Sequence, residues 1–241
     1  MNLCGQVAAV TGASRGIGRA IVLALAAEGA TVAALARTEE ALRAVCQEIV
    51  AAGGQAEPFA LDVSSEEQVK GAIAQLHRRY GRLDILVNCA GIGVFCPLLE
   101  VSMEDWDRVM AVNARGPFLM CREAIPLMAA RGGGCIVNIS SVVGLKGYVR
   151  QGAYVASKHA LMGMTKVLAQ EVQPLGIRVH ALCPGGVDTD MIGDARPDLD
   201  RSQLIRPEEI ASLVLWLVQQ RGNAVIDELH VRRASGPPWF D

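Results

Sequence analysis

Aromatic side chains are scarce in this chain: phenylalanine, tyrosine and tryptophan together supply 4% of its 241 residues. No apolar run approaches the roughly 20 residues a membrane-spanning helix needs, so no membrane partner is expected. No block of basic residues stands out, and 23 Lys and Arg against 25 Asp and Glu give a formal net charge of −2. That balance lacks the electrostatic footprint of a nucleic-acid binder. The seven cysteines (4, 46, 89, 96, 121, 135 and 183) are scattered and odd in number, with no Cys-x-x-Cys pair. Such usage favours reduced thiols in a cytoplasmic protein over a disulfide framework or zinc site. His77, His159, His180 and His230 show no metal-ligand spacing, and no metal is expected. The opening MNLCGQ lacks a basic flank and an apolar core, so no export signal is expected. There is no internal repeat, no low-complexity segment and no linker long enough to split the chain.

What the chain has is a 51% hydrophobic composition, ample for a core, at the length of one α/β domain. Its pattern alternates strands with helices. Strands are predicted at 6–11, 31–36, 57–61, 84–88, 134–140, 177–183 and 225–231. Helices are predicted at 17–28, 39–52, 65–79, 103–130, 154–173 and 207–220. Stretches such as Ile85-Leu86-Val87 and Cys135-Ile136-Val137 are apolar without alternation, as in a parallel sheet covered on both faces. Alternation of this kind implies right-handed crossovers and a doubly wound α/β fold with a mostly parallel, seven-stranded sheet, one domain over 1–241. The irregular stretch 186–206 follows the C-terminal end of a strand, where ligands bind in such sheets. It is expected to form a substrate lid.

Tyr154-Val155-Ala156-Ser157-Lys158 is the most informative stretch. On a helix, residues four apart share a face. A phenol titrates near 10, and a neighbouring ammonium is expected to lower that value. The pair then suits proton transfer at a carbonyl or alcohol oxygen. Alone, it reads equally as a solvated helix face.

A second signal lies near the N-terminus. The apolar run Gln6 to Thr11 leads into Gly12-Ala13-Ser14-Arg15-Gly16-Ile17-Gly18 and then a helical pattern. Glycines let the backbone turn tightly and approach a ligand. The helix N-terminus offers N–H groups and a positive dipole end to phosphate. The spacing Gly-x-x-x-Gly-x-Gly differs from the usual dinucleotide fingerprint.

Together these motifs resemble the short-chain dehydrogenase/reductase family over roughly residues 4–231. Thr11, Gly12, Gly16, Ile17 and Gly18 match its cofactor turn. Asp62-Val63 matches the acidic pair facing adenine. Asn88-Cys89-Ala90-Gly91 matches its Asn-Asn-Ala-Gly motif, with Cys89 in place of the second Asn. Asn113 matches its helix asparagine, and Ser141, thirteen residues before Tyr154 (154 − 141), its active-site serine. Pro184-Gly185-x-Val187-x-Thr189 matches the turn that holds the nicotinamide. The resemblance implies a single-domain Rossmann fold and a homodimer or homotetramer, with helices 103–130 and 154–173 at one interface.

Cofactor choice is read from charge. The acidic residue an NAD site carries about 20 positions after the glycines is replaced by the apolar end of strand two, followed by Arg37. Arg15 and Ser14 lie in the glycine loop. Two guanidinium groups suit a 2′-phosphate, so NADP(H) is expected over NAD(H). Otherwise Arg15 and Arg37 are solvated charges.

By the same resemblance, Tyr154 is general acid in reduction and general base in oxidation. Lys158 lowers its pKa and binds the nicotinamide ribose. Ser141 binds the substrate oxygen. Asn113 holds a helix irregularity and a proton-relay water. Gly152, Val155 and Phe95 are expected to shape the pocket. The implied substrate is a small-molecule ketone or secondary alcohol. The alternatives are a 3-oxoacyl-thioester reductase, a hydroxy-acid or amino-alcohol dehydrogenase, and a non-catalytic NADP-binding regulator. One departure stands out: the family often ends its last strand with Asp-Gly-Gly, whereas this chain continues Val231-Arg232-Arg233-Ala234. The tail 234–241 ends Pro-Pro-Trp-Phe-Asp. Burial of its two aromatics is expected to dock it.

Overall fold

Seven short apolar strands account for the architecture of the computed structural model, which describes residues 3–195 and 199–238. In chain order they are β1 (Val7–Thr11), β2 (Thr31–Ala36), β3 (Gln55–Ala60), β4 (Ile85–Asn88), β5 (Gly134–Ile139), β6 (Ile177–Pro184) and β7 (Glu228–Val231). They form one sheet in the order β3-β2-β1-β4-β5-β6-β7. Every pairing within it is parallel, so the sheet is wholly rather than mostly parallel. Eight α-helices connect the strands: α1 (Gly16–Ala27), α2 (Glu39–Ala51), α3 (Glu66–Tyr80), α4 (Met103–Met110), α5 (Gly116–Ala129), α6 (Gly152–Val172), α7 (Asp190–Ala195) and α8 (Pro207–Gln219).

The strands lack alternation because both faces are covered. Ala8, Val10, Val32, Ala34, Val87 and Val137 pack on one face with residues of α1, α2 and α8. Val7, Ala9, Ala33, Leu35, Leu86 and Ile136 pack on the other with residues of α3 and α5. Neighbouring residues of β1 thus enter opposite cores, as strand geometry demands. Burying each such side chain contributes roughly 1.5–3 kcal/mol.

Three departures from the sequence expectation stand out among smaller shifts of element ends. The predicted helix 103–130 is two helices joined by a π-helical turn, Ala111–Arg115. α6 begins two residues earlier than predicted, which places Tyr154 in its first turn. β7 begins at 228 rather than 225 because Val225 is exposed and has no strand partner in the register with β6. The stretch 186–206 contains α7 and a short 3₁₀ turn, Arg201–Gln203. Its ends meet at a parallel bridge between Val187 and Ile205. No helix among the described residues is long and apolar enough to cross a membrane.

The fold positions the site through its switch point. β1 lies between β2 and β4; the connection after β1 runs to β2, and the one after β4 runs the opposite way, to β5. A crevice opens there, beneath the loops that follow β1, β4, β5 and β6.

Candidate active site

The glycine turn is built by close approach. Gly12 has φ +70°, and a Cβ there would lie 2.9 Å from the Ala90 Cα. A Cβ on Gly18 would strike the Gly12 carbonyl oxygen, and Gly16, at φ +54°, packs on Thr189. Side chains at these positions would force β1, α1 and the loop after β4 apart. Thr11 ties the same junction: its hydroxyl accepts from the backbone N–H groups of Cys89 and Ala90, each at 3.0 Å. The N-terminus of α1 has no side-chain cap. Its free N–H groups face the place a phosphate would take. The cradle therefore fits a dinucleotide.

The expected cofactor residues Arg37, Asp62, Val63, Ala90 and Gly91 lie in the loops after β2, β3 and β4. The Asp62 carboxylate accepts from Ser64 through one oxygen, at 2.9 Å from N–H and 2.7 Å from Oγ. Val63 is buried and packs against Gly116. Arg37 is exposed and forms no ion pair or hydrogen bond among the described residues. Arg15 is paired with Asp190 at 2.8 Å, both side chains largely in solvent. Such a pair contributes at most about 1 kcal/mol, so Arg15 is readily released to an anion. Asn88 is buried on β4 and donates to Asn138 Oδ1, its register partner on β5, at 2.8 Å. Asn138 in turn donates to Thr165 Oγ1 on α6 at 2.9 Å. Sequence reasoning missed Asn138 and Thr165, although a polar residue inside the apolar run IVNI was a visible signal.

Asn113 occupies the π-helical turn and is fully buried. Its carboxamide clasps the backbone of Ile92, accepting from N–H at 2.9 Å and donating to C=O at 2.8 Å. It also donates to Ser157 Oγ at 3.0 Å, and that hydroxyl donates to the Tyr154 carbonyl at 2.8 Å. The asparagine thus locks the loop after β4 to the first turn of α6. The widened turn is where its competing hydrogen bonds can be made without a backbone group left unpaired.

Tyr154, Ser141 and Lys158 converge at the end of β5. Ser141 starts the 3₁₀ turn Val142–Gly144. Its hydroxyl donates weakly to the Pro184 carbonyl, at 3.3 Å. Lys158 is 4% exposed, and its ammonium donates to the Ile139 carbonyl at 2.9 Å. Nζ lies 5.7 Å from the centre of the Tyr154 ring. A Cβ added to Gly91 would sit 3.5 Å from Asn113 Oδ1 and 3.7 Å from Lys158 Nζ.

The electrostatics correct one expectation. Lys158 was expected to lower the Tyr154 pKa. Instead, burial pushes the phenol up to about 12, with the Ser141 hydroxyl pulling the other way. Burial also lowers the Lys158 ammonium to about 8. Desolvation disfavours the charged form of both groups and is the largest cause of each shift.

A cavity of about 220 Å³ opens beside these groups. Tyr154 and Ser141 line it, together with Gly185, Val187 and Thr189. Residues of α7 in the expected lid, Met191, Ile192 and Ala195, also line it. Phe95 lines it as expected and meets Tyr154 edge-on, with centroids 6.0 Å apart. Gly152 and Val155 do not line it; Gly152 faces Leu98 instead. The tail enters the wall through Arg232, Arg233, Gly236 and Pro237. Trp239 and Phe240 lie outside the described residues.

Strand pairing also brings together Cys183, Glu228 and His230, with ligand atoms within 4.8 Å of one another. Linear spacing concealed this trio. Glu228 accepts from His230 at 2.8 Å and pairs with Lys166 at 3.7 Å, and the Cys183 thiol is pushed up to about 11 by burial. The three are held by protein contacts, and the thiol is far from its metal-binding form.

An open parallel sheet with a glycine cradle at its switch point and a Tyr–Lys pair one helical turn apart defines a nicotinamide-dependent oxidoreductase. A short chain dehydrogenase family model matches residues 6–200, and the chain belongs to the short-chain dehydrogenase/reductase family. It is 37% identical over 238 residues to a 3-oxoacyl-(acyl-carrier-protein) reductase of Thermotoga maritima, covering 95% of this chain and 96% of the relative. It is 43% identical over 195 residues to a 3beta-hydroxysteroid dehydrogenase of Mediterraneibacter gnavus, covering 80% of this chain and 70% of the relative. Among solved structures, it resembles a metagenomic short-chain oxidoreductase in complex with NADP, at a TM-score of 0.86 and 39% identity, with 97% of this chain and 99% of the other covered. The protein is an oxidoreductase that moves a hydride between a nicotinamide cofactor and a ketone or secondary alcohol.

Proposed function

We propose that the protein reduces a small ketone with NADPH, with Tyr154, Ser141, Lys158 and Asn113 as the working residues. The observation that carries this reading is that Tyr154 and Ser141 line one cavity with Ile17 of the glycine loop. The nicotinamide, when bound, supplies or accepts the hydride. A phenol near pKa 12 is protonated at neutral pH, the form needed to donate a proton to a reduced carbonyl oxygen. Ser141 orients that oxygen by hydrogen bonding. Lys158, within reach of Gly91, binds the cofactor ribose, and Asn113 holds the loop and helix that frame the pair. The relay water assigned to Asn113 belongs to this reading.

The cofactor residues are Gly12, Ser14, Arg15, Gly16, Ile17, Gly18, Arg37, Asp62, Val63, Asn88, Ala90, Gly91, Tyr154, Lys158, Pro184, Gly185, Val187 and Thr189. The unpaired guanidinium of Arg37, with no acid at the end of β2, supports NADP(H) over NAD(H). We read the chain as one cytoplasmic catalytic domain, with 186–206 as its lid. Exposed Phe118 on α5 and Val167 on α6 support a homodimer or homotetramer through those helices.

The test is a screen of ketones, 3-oxoacyl thioesters and secondary alcohols, following absorbance of the reduced nicotinamide. Turnover with NADPH is expected. A protein that binds NADPH and turns over nothing is the non-catalytic regulator.

A further inference from the structure

The tail replaces the family's usual Asp-Gly-Gly with two arginines, and both reach the active-site cavity. They differ in what they do there. Arg232 turns its guanidinium onto the tail's own backbone. It donates to the carbonyls of Arg233, Ala234 and Gly236, at 3.1, 3.3 and 2.9 Å. Arg232 is thus the clamp that bends residues 233–236 over the cavity, and Gly236 N–H closes the same turn on the Arg233 carbonyl at 3.0 Å. The Arg233 guanidinium has no ion pair or hydrogen bond among the described residues. Yet its side chain is half-buried and its stem runs along Gly186, with Cδ 3.5 Å from where a Cβ on that glycine would lie.

An arginine whose stem is packed and whose guanidinium offers five donors with no protein partner among the described residues is suited to an anion. None of the described residues lining the cavity is acidic. Tyr154 and Ser141 line the same cavity. We infer that Arg233 recognises an anionic group on the substrate, so that the substrate is an oxo acid or hydroxy acid whose carboxylate meets Arg233 while its carbonyl meets Tyr154. This inference rests on the ketone-reductase reading and names its substrate class. Arg233 then acts as a binding and specificity residue, and Arg232 as its positioning residue.

The experiment compares 3-oxobutanoate and 5-oxohexanoate with their neutral ethyl esters, with NADPH as reductant. The wild type is expected to prefer at least one acid over its ester. Arg233→Gln is expected to lower kcat/KM for that acid by about ten- to hundredfold, the scale of a lost charge-assisted bond. The ester should change less than threefold, and Arg233→Lys should restore part of the loss. An unchanged melting temperature and NADPH affinity in Arg233→Gln separate substrate recognition from a fold or cofactor role. Equal loss for acid and ester, or lost NADPH affinity, overturns the inference.

A binding arm decides the inference if no compound is turned over and the oxidoreductase reading itself falls. By calorimetry with NADP⁺ present, butanoate should bind the wild type more tightly than butanamide, and Arg233→Gln should erase the difference. Equal binding of the two by the wild type overturns the inference whatever the catalytic result.

Discussion

Lys158 holds its ammonium 5.7 Å from the centre of the Tyr154 ring while its hydrogen bond goes to the Ile139 carbonyl at 2.9 Å. The lysine therefore flanks the ring and is anchored on β5. Tyr154→Phe removes the phenolic proton donor with little change in shape. Turnover should fall by roughly 10²–10⁴-fold, with NADPH affinity nearly unchanged. Lys158→Ala should damage both. Steady-state kinetics with NADPH fluorescence titration checks this, and a Tyr154→Phe enzyme with wild-type turnover rules out the assignment.

Burial of Lys158 also predicts a pH dependence of stability. The group titrates at 10.5 when unfolded and at about 8 when folded. Between these values the unfolded chain binds more protons, so stability rises with pH. Below pH 8 the folded protein carries the full cost of a buried ammonium, roughly 3–4 kcal/mol. Above pH 10 the raised pKa of Tyr154 acts the other way. Relative to Lys158→Met, the wild type should therefore gain stability from pH 8 to 10. Urea melts at three pH values suffice, and parallel curves for the two proteins would refute the lysine's buried charge.

Cofactor choice should follow Arg37. Arg37→Asp places a carboxylate near the proposed 2′-phosphate and removes a bond of roughly 1.5–3 kcal/mol. NADPH binding should weaken at least tenfold while NADH binding holds or improves. A wild type that binds both cofactors equally would sink the NADP assignment.

Asn113→Leu leaves the Ile92 N–H and C=O without their partner in a buried site. Two unsatisfied backbone groups predict a loss of roughly 2–5 kcal/mol. Denaturant midpoints and activity should fall together, because the asparagine joins the loop after β4 to the Tyr154 turn. Unchanged stability would mean that the π-helical turn is held by something else.

Removing residues 234–241 takes Gly236 and Pro237 from the cavity wall and two of the three carbonyls that hold Arg232. KM should rise severalfold with a smaller effect on kcat. Light scattering on the same sample shows whether the tail also supports an oligomer. Identical mass, melting temperature and kinetics would show that the tail does not matter to the site.

The sequence by itself determined the strand–helix order, the glycine cradle, the Tyr154–Lys158 pair and the irregularity at Asn113. Each of these is local: apolar runs, glycine spacing, two residues one helical turn apart, an asparagine at odds with its helix. Tertiary structure alone decided what lies far apart in the chain. Only strand register sets Asn88 against Asn138 and gathers Cys183, Glu228 and His230. Only the fold of the tail sends Arg232 to its own backbone and brings Arg233 to the cavity that Tyr154 also lines. The direction of the Tyr154 pKa belongs to the same class. Four-residue spacing shows that an ammonium is near, but desolvation depends on every element packed around the pair, and here it is the larger effect.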